Sequence, residues 1–188
     1  MGQQSKIYRS IWIPLRLALI MVMFFLVGEY LSLDLRILAN LPRTLEGLPG
    51  VLFAPLIHIN LYHLLSNLFP ILCLGTVVYW FYPGIARNVF IRAYLVPMVL
   101  VWLFARPTYH VGASGLVYGL AFFLVFFGFF RKDFKSLLIS IVILLFFGGL
   151  FYGILPGQPE ISFESHLAGA IAGGLSAFEF SKLKPQRN

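Results

Sequence analysis

The sequence predicts an all-α membrane protein, a single domain over residues 1–188 folded as a bundle of six transmembrane helices. Its composition is the first reason, since 60% of the 188 residues are hydrophobic and only 11% are charged, against about 25% charged residues in an ordinary soluble domain. A globule of this size cannot bury so much apolar surface, because small globules have a high ratio of surface to volume. The second reason is that the apolar residues fall into long runs with few charges, so lipid is expected to cover most of the outside.

Runs of mainly apolar residues recur six times along the chain, and about 20 such residues cross a bilayer as a helix. The fourth and fifth runs are the clearest, because residues 112–130 and 136–155 carry no charge. The third contains Arg92, whose long side chain can reach the interface from one turn inside the membrane. The sixth is short, which indicates an oblique or partly buried helix. The predicted spans cover residues 11–31, 57–80, 87–105, 113–131, 134–155 and 165–181.

The first run has some features of a cleaved signal peptide, but it is longer than usual and no small-residue cleavage site follows it. We therefore expect it to remain as a span. Residues 32–56 form the longest connection, in which prolines and glycines prevent one continuous helix. The leucines along this connection favour an interfacial loop that lies partly among the lipid headgroups.

The distribution of positive charge predicts the orientation of the bundle. A net charge of +7 would suit nucleic acid, but the basic residues stand in short groups between apolar runs and form no stripe, so we expect no nucleic-acid partner. Placing both termini in the cytoplasm puts eleven lysines and arginines on that side and three on the outer side, which satisfies the positive-inside rule. The cytoplasmic set is Lys6, Arg9, Arg16, Arg87, Arg92, Arg131, Lys132, Lys135, Lys182, Lys184 and Arg187, and the outer set is Arg36, Arg43 and Arg106.

A small-residue motif opens the fourth span and reads Gly112-Ala113-Ser114-Gly115. Its glycines let the backbone turn sharply and approach a substrate closely. The free backbone N–H groups at the start of a helix, together with the helix dipole, favour negative charge beside Ser114. These are the requirements of an oxyanion site next to a serine nucleophile. Small residues also occur where membrane helices pack together, and for this motif taken alone packing is the simpler interpretation.

His166, near the start of the sixth span, is the candidate general base for Ser114, because a serine hydroxyl needs a partner that takes its proton. The predicted topology places both residues at the outer side, and an ionisable residue inside a span indicates a function. Gly169 and Gly173 follow on the same helical face and make a Gly-x-x-x-Gly surface for close packing against another helix. The alternative is a histidine whose ring simply binds a backbone carbonyl.

A third group of polar residues lies at the start of the second span. His63 and Asn67 are four residues apart and share one helical face, so their side chains can donate to one developing oxyanion, each worth ~3 kcal/mol of barrier. His58 and His63 are the rival pair, since both imidazoles could bind a metal. We expect no metal, because a spacing of five separates these rings around the helix and no acidic ligand or His-Glu-x-x-His motif lies nearby.

Taken together, these residues resemble the rhomboid family of intramembrane serine proteases. The resemblance covers nearly the whole chain, since six spans form the minimal rhomboid core, and it depends on three motifs in the expected spans. It implies a bundle of the rhomboid type in which Ser114 is the nucleophile and His166 the general base, with no acidic third member. It also implies an oxyanion site made by the Ser114 backbone N–H, His63 and Asn67, and supporting positions at Gly112, Gly115, Tyr118 beside the catalytic histidine, and His58 at the mouth.

The resemblance implies an endopeptidase that cleaves transmembrane segments of other membrane proteins near the outer face. Its partners are then transmembrane protein substrates and the lipid bilayer of a prokaryotic plasma membrane, with no metal or organic cofactor. A non-catalytic rhomboid-like protein that binds membrane clients is the first alternative, although such relatives typically lose the serine or the histidine. A small transporter or channel is the second, and the internal pseudo-symmetry that would support it is not apparent.

Three further positions near the site carry expectations. His110 precedes the serine motif, and we expect it to face water, the alternative being that it lines the site. Glu164 lies two residues before His166 and is expected to face the aqueous loop. The segment Pro156-Gly157-Gln158-Pro159-Glu160 is the candidate mobile cap over the site.

Overall fold

The computed structural model is helical wherever the chain has a long apolar run, although several helix ends differ from the predicted ones. It describes residues 2–157 and 161–183, with side chains from residue 7 onward. Two 3₁₀ turns, Leu35–Leu38 and Ala54–Leu56, lie in the long first connection. The helices are α1 (Gly2–Tyr30), the short α2 (Gly50–Phe53), α3 (Leu61–Phe81), α4 (Pro83–Phe104), α5 (Ser114–Arg131), α6 (Phe134–Phe147), the short α7 (Leu150–Gly153) and α8 (Phe163–Ser181).

Four of the described helices, α1, α3, α4 and α5, are long and apolar enough to cross a membrane. The expected all-α membrane class is therefore confirmed. α6 has only 14 residues and α8 has 19, so the count of six spans stays a prediction, as does the cytoplasmic position of both termini. Lys184 and Arg187 of the cytoplasmic set, and residues 158–160 of the candidate cap, lie outside the described residues.

The predicted span over residues 134–155 is not one continuous helix in the structure. α6 ends at Phe147, Gly148 and Gly149 follow, and α7 is a separate helical turn. Consecutive glycines weaken a helix, because glycine loses more backbone freedom on folding than any other residue. This break precedes the turn that carries Gly153 to the start of α8, where its carbonyl contacts His166.

Three helices begin four or more residues away from the predicted start. α3 begins at Leu61 instead of residue 57, because the Asn60 side chain accepts a hydrogen bond of 2.8 Å from the His63 N–H and so caps the helix there. α4 begins at Pro83 instead of residue 87, since proline suits the first turn of a helix. α1 begins at Gly2 instead of residue 11.

α5 is the central helix of the bundle and is buried on nearly every face. α8 packs against it through Gly169 and Gly173, at which an added Cβ atom would collide with the carbonyl oxygens of Gly115 and Gly119. The two helices therefore touch backbone to backbone, as small residues allow between membrane helices. This contact holds the first turn of α8 beside the first turn of α5.

The long connection between α1 and α3 packs against the C-terminal end of α4. The Asn40 side chain donates a hydrogen bond of 2.8 Å to the Met98 carbonyl, and the Trp102 indole N–H donates one of 2.9 Å to the Thr44 carbonyl. An antiparallel bridge joins Asn40 to His110. The connection therefore supports the segment that runs directly into Ser114.

Candidate active site

The serine motif adopts a backbone conformation that only glycine accommodates well at its first position. Gly112 has a φ of +100°, which is strained for any residue with a side chain. An added Cβ atom there would also lie 2.5 Å from Nε2 of His63. The Gly112 N–H donates a hydrogen bond of 2.9 Å to the carbonyl of Ala54. The missing side chain at residue 112 thus lets the serine loop pass directly beside the His63 ring.

Ser114 is the first residue of α5 and is half-buried. The residue before it, Ala113, has no side-chain group that caps the helix, so the first backbone N–H groups of α5 have no capping acceptor. Gly115 lies in a tight contact with two other helices, because an added Cβ atom would be 3.0 Å from both Pro97 Cβ and Ser165 Oγ. The hydroxyl of Ser114 therefore stands next to uncapped donors at the positive end of a helix dipole.

His166 lies in the first turn of α8, and its imidazole has two defined neighbours. Its Nδ1 is 2.9 Å from the Gly153 carbonyl oxygen. A carbonyl only accepts hydrogen bonds, so Nδ1 carries the proton and Nε2 is left with a free lone pair. The ring also stacks on Tyr118, with centroids 4.1 Å apart and planes 7° from parallel. Since Tyr118 is one turn after Ser114 on α5, this stacking places the imidazole beside the helix that carries the serine.

Gly153 is a site residue that the sequence alone does not reveal. It acts through its backbone carbonyl, which every residue type has, so no residue-type pattern marks it. Its lack of a side chain is required nonetheless, since an added Cβ atom would collide with the Tyr118 hydroxyl. The Gly148-Gly149 pair is the sequence signal that could have indicated a helix break before this position.

His63 and Asn67 lie on one face of α3, with His63 turned towards Gly112. Asn67 is buried, and its side-chain nitrogen donates a hydrogen bond of 2.8 Å to the His63 carbonyl. The rings of His63 and His58 meet edge to face at 4.9 Å. In the described part of the chain no three His, Cys, Asp or Glu side chains are grouped so that they could hold a metal ion.

His58 precedes α3 and is buried, with Nδ1 3.3 Å from the Leu56 carbonyl oxygen. Burial, with a smaller contribution from neighbouring His63, lowers the pKa of His58 from 6.5 to about 4. The ring is therefore neutral at ordinary pH. A neutral, buried His58 packs against His63 and supports its orientation.

Two expectations about the neighbouring loops are wrong. His110 does not face water: it is 3% exposed, because its backbone pairs with Asn40 and its ring contacts Ser162. Glu164 does not face an aqueous loop either, since its carboxylate lies 3.0 Å from Arg106 Nε as an ion pair. Both residues connect the segment before Ser114 to the start of α8.

The fold and site define an integral membrane protein in which a serine at the start of one buried helix and a histidine at the start of another lie at the same end of a helical bundle. Residues 46–183 match the rhomboid domain. The chain belongs to the rhomboid family. The resemblance expected from the serine and histidine motifs is therefore confirmed.

Mycobacterial proteins are among the similar sequences. The chain is 37% identical over 151 residues to Uncharacterized protein Rv1337 of Mycobacterium tuberculosis strain H37Rv, an alignment that covers 74% of this chain and 62% of that protein. It is 33% identical over 150 residues to Uncharacterized protein ML1171 of Mycobacterium leprae, with 70% of this chain and 56% of that protein covered. The aligned region thus spans less than two thirds of the length of these relatives.

Proposed function

We propose that the protein is an intramembrane serine endopeptidase that cleaves transmembrane segments of other membrane proteins with Ser114 and His166. The observation that carries this proposal is the hydrogen bond from His166 Nδ1 to the Gly153 carbonyl. It directs the free lone pair of the imidazole to Nε2 while Tyr118 holds the ring beside α5. The rhomboid family consists generally of such proteases, with inactive members among them, and this chain carries both the serine and the histidine.

Catalysis would follow the general scheme of serine nucleophiles. Ser114 Oγ attacks the carbonyl carbon of the scissile peptide bond while His166 Nε2 takes its proton. The same Nε2 then gives that proton to the leaving amine, which departs and leaves an acyl group on Ser114. Water attacks the acyl group with His166 again as base, releasing the new carboxylate and restoring the serine hydroxyl. These steps need no metal or organic cofactor.

The developing oxyanion would be held by the backbone N–H of Ser114 together with His63 and Asn67. The uncapped start of α5 favours negative charge at that point. His63 is adjacent to the serine loop through its contact at Gly112. Asn67 reaches the same region from the next turn of α3, with one amide hydrogen engaged on the His63 carbonyl. Loss of one such donor typically slows an acyl transfer about 10²- to 10³-fold.

The substrate would be a membrane-spanning segment that unwinds locally, because a helix keeps its carbonyls engaged in hydrogen bonds and out of reach of a nucleophile. The apolar exterior of the bundle suits such a partner. We place the cleavage near the outer face of a prokaryotic plasma membrane, following the predicted orientation. Helix-destabilising residues near the cut would favour cleavage.

The test is labelling with a fluorophosphonate probe, which reacts only with an activated serine. We expect wild-type protein in detergent to be labelled, and Ser114→Ala and His166→Ala to remain unlabelled. Ser140→Ala is the matched control, since Ser140 is a buried serine that donates to the Val125 carbonyl away from the site. Absence of labelling in folded wild-type protein would favour a non-catalytic protein that binds membrane clients.

A further inference from the structure

A partly buried hydrogen bond joins the loop before Ser114 to the start of α8. Nδ1 of His110 lies 2.6 Å from Oγ of Ser162, and Nε2 lies 3.1 Å from the Arg106 carbonyl oxygen. Because a carbonyl only accepts, Nε2 carries the imidazole proton and the Ser162 hydroxyl donates to Nδ1. Burial, opposed in part by the bond to the Arg106 carbonyl, lowers the pKa of His110, which favours this neutral form.

Ser162 also accepts a hydrogen bond, and this explains why its hydroxyl is the donor to His110. It caps α8, since its Oγ accepts a hydrogen bond of 3.2 Å from the Ser165 N–H. Its own hydroxyl proton is thereby left for His110. The position at which α8 begins is therefore tied to the side chain of a residue in another loop.

An ion pair joins the same two segments as this hydrogen bond. Arg106 Nε lies 3.0 Å from Glu164 Oε1, and Arg106 Nη2 donates a hydrogen bond of 2.6 Å to the Ile161 carbonyl. Both side chains are mostly shielded, with 33% and 16% of their surfaces exposed. The loop before Ser114 is thus held to the start of α8 at two points.

The opposite edge of the same loop is held by the long first connection. The backbones of Asn40 and His110 exchange hydrogen bonds of 3.0 and 2.9 Å, and Asn40 is fully buried. The Gly112 N–H donates to the Ala54 carbonyl at 2.9 Å. A loop supported on both sides can transmit a displacement at His110 to the serine that follows it.

The two residues that form this bond lie at matching distances from the two proposed catalytic residues. His110 lies four residues before Ser114, and Ser162 lies four residues before His166. The first pair is joined by a short loop with fixed neighbours and the second by one turn of helix. We propose that His110 and Ser162 are positioning residues that set the separation of Ser114 and His166. This inference rests on the proposed protease function.

Removing the bond should therefore slow the chemical step more than it weakens substrate binding. A catalytic pair displaced by about 1 Å can lose about 100-fold in rate, so we expect kcat to fall roughly tenfold or more in His110→Ala and in Ser162→Ala. KM should change little, because neither side chain is placed to touch the substrate. The double variant should be no slower than the slower single variant, since both changes remove one interaction.

The experiment measures kcat and KM for cleavage of a transmembrane peptide in detergent, with the thermal unfolding midpoint of each variant alongside. Ser162→Thr, which keeps both the cap and the donor, should retain activity close to wild type. Asp133→Ala is the control for a lost cap, because Asp133 caps α6 through a bond of 2.9 Å to the Ser136 N–H. It should lower the unfolding midpoint like Ser162→Ala while leaving kcat nearly unchanged.

Several outcomes would overturn the inference. These are multiplicative losses in the double variant, full activity of His110→Ala, or equal losses of kcat in Asp133→Ala and Ser162→Ala. An active wild type with an active His110→Ala removes this inference and leaves the protease function standing. A folded wild type that is as inactive as Ser114→Ala would overturn both this inference and the proposed protease function. If His110→Ala fails to fold, the comparison of Ser162→Ala with Ser162→Thr decides.

Discussion

The imidazole of His166 and the backbone carbonyl of Gly153 are joined through Nδ1 at 2.9 Å. The carbonyl belongs to α7, a single turn that exists as a separate element because the preceding helix ends at Phe147. A break in one helix thus supplies the group that orients a histidine on another. In the proposed Ser–His pair, which has no acidic member, this bond selects the tautomer that can accept the serine proton.

Gly153→Ala should strongly reduce activity. The added methyl group would collide with the Tyr118 hydroxyl and lie 3.3 Å from His166 Nδ1. Either α7 or the Tyr118 ring must therefore move, and both of them hold the imidazole in place. We expect a loss of roughly 100-fold in the rate of fluorophosphonate labelling, the scale of a small misplacement of a catalytic group.

Two comparison variants make the Gly153 prediction specific. Gly149→Ala should label nearly as fast as wild type, because an added Cβ atom there meets no atom within 4 Å. Adding Tyr118→Phe to Gly153→Ala should recover part of the rate, since it removes the hydroxyl that collides. No recovery in the double variant would argue against this steric cause.

Gly173→Ala should destabilise the contact between α5 and α8. The new Cβ atom would collide with the Gly119 carbonyl and lie 2.8 Å from the Phe123 backbone nitrogen, and neither backbone atom can move aside alone. We expect the free energy of unfolding to fall by about 1–3 kcal/mol, the usual cost of overpacking. Unfolding in detergent measures this, with Gly174→Ala as control, because its Cβ atom would meet Phe126 at an ordinary 3.7 Å. Equal effects of the two alanines would contradict the close contact.

Acidification should destabilise the protein partly through His58. Its pKa is about 4 when folded and 6.5 as an ordinary histidine, so the unfolded chain takes up the proton first as the pH falls. The stability that depends on a neutral His58 is complete above about pH 6.5 and is lost as the pH falls towards 4. Thermal unfolding midpoints should therefore decline less steeply over this range in His58→Gln than in wild type. Parallel curves would show that His58 titrates normally.

Cysteine labelling can test the predicted orientation of α5 in the membrane. Cys73 is the one native cysteine, so Cys73→Ser provides a background for single cysteines at Tyr109 and Lys135, both of which are exposed. A membrane-impermeant maleimide should label the Tyr109→Cys variant in intact cells. It should label Lys135→Cys only after the membrane is opened. The reverse pattern would place Ser114 and His166 at the cytoplasmic side.

Several features of the site follow from local sequence. Ser114 and His166 are recognisable because each opens an apolar run with small residues around it. Tyr118 stacks on His166, the neighbour that the family resemblance implies for it. The passage of the Gly112 backbone beside the His63 ring is seen only in the structure. The sequence favours a water-facing position for His110 and Glu164, because no partner stands beside either residue in the chain. Their partners, Ser162 and Arg106, lie more than 50 residues away.

Composition and the recurrence of apolar runs by themselves determined that this chain is a helical membrane protein, because the transfer of apolar side chains into lipid depends on each segment alone. The serine and histidine motifs determined its family. Tertiary structure decided that a carbonyl of α7 orients His166 and that His110 is buried against Ser162. Such contacts depend on where backbone groups and distant side chains meet when the helices pack, and a backbone carbonyl has no residue-type signature to read in advance.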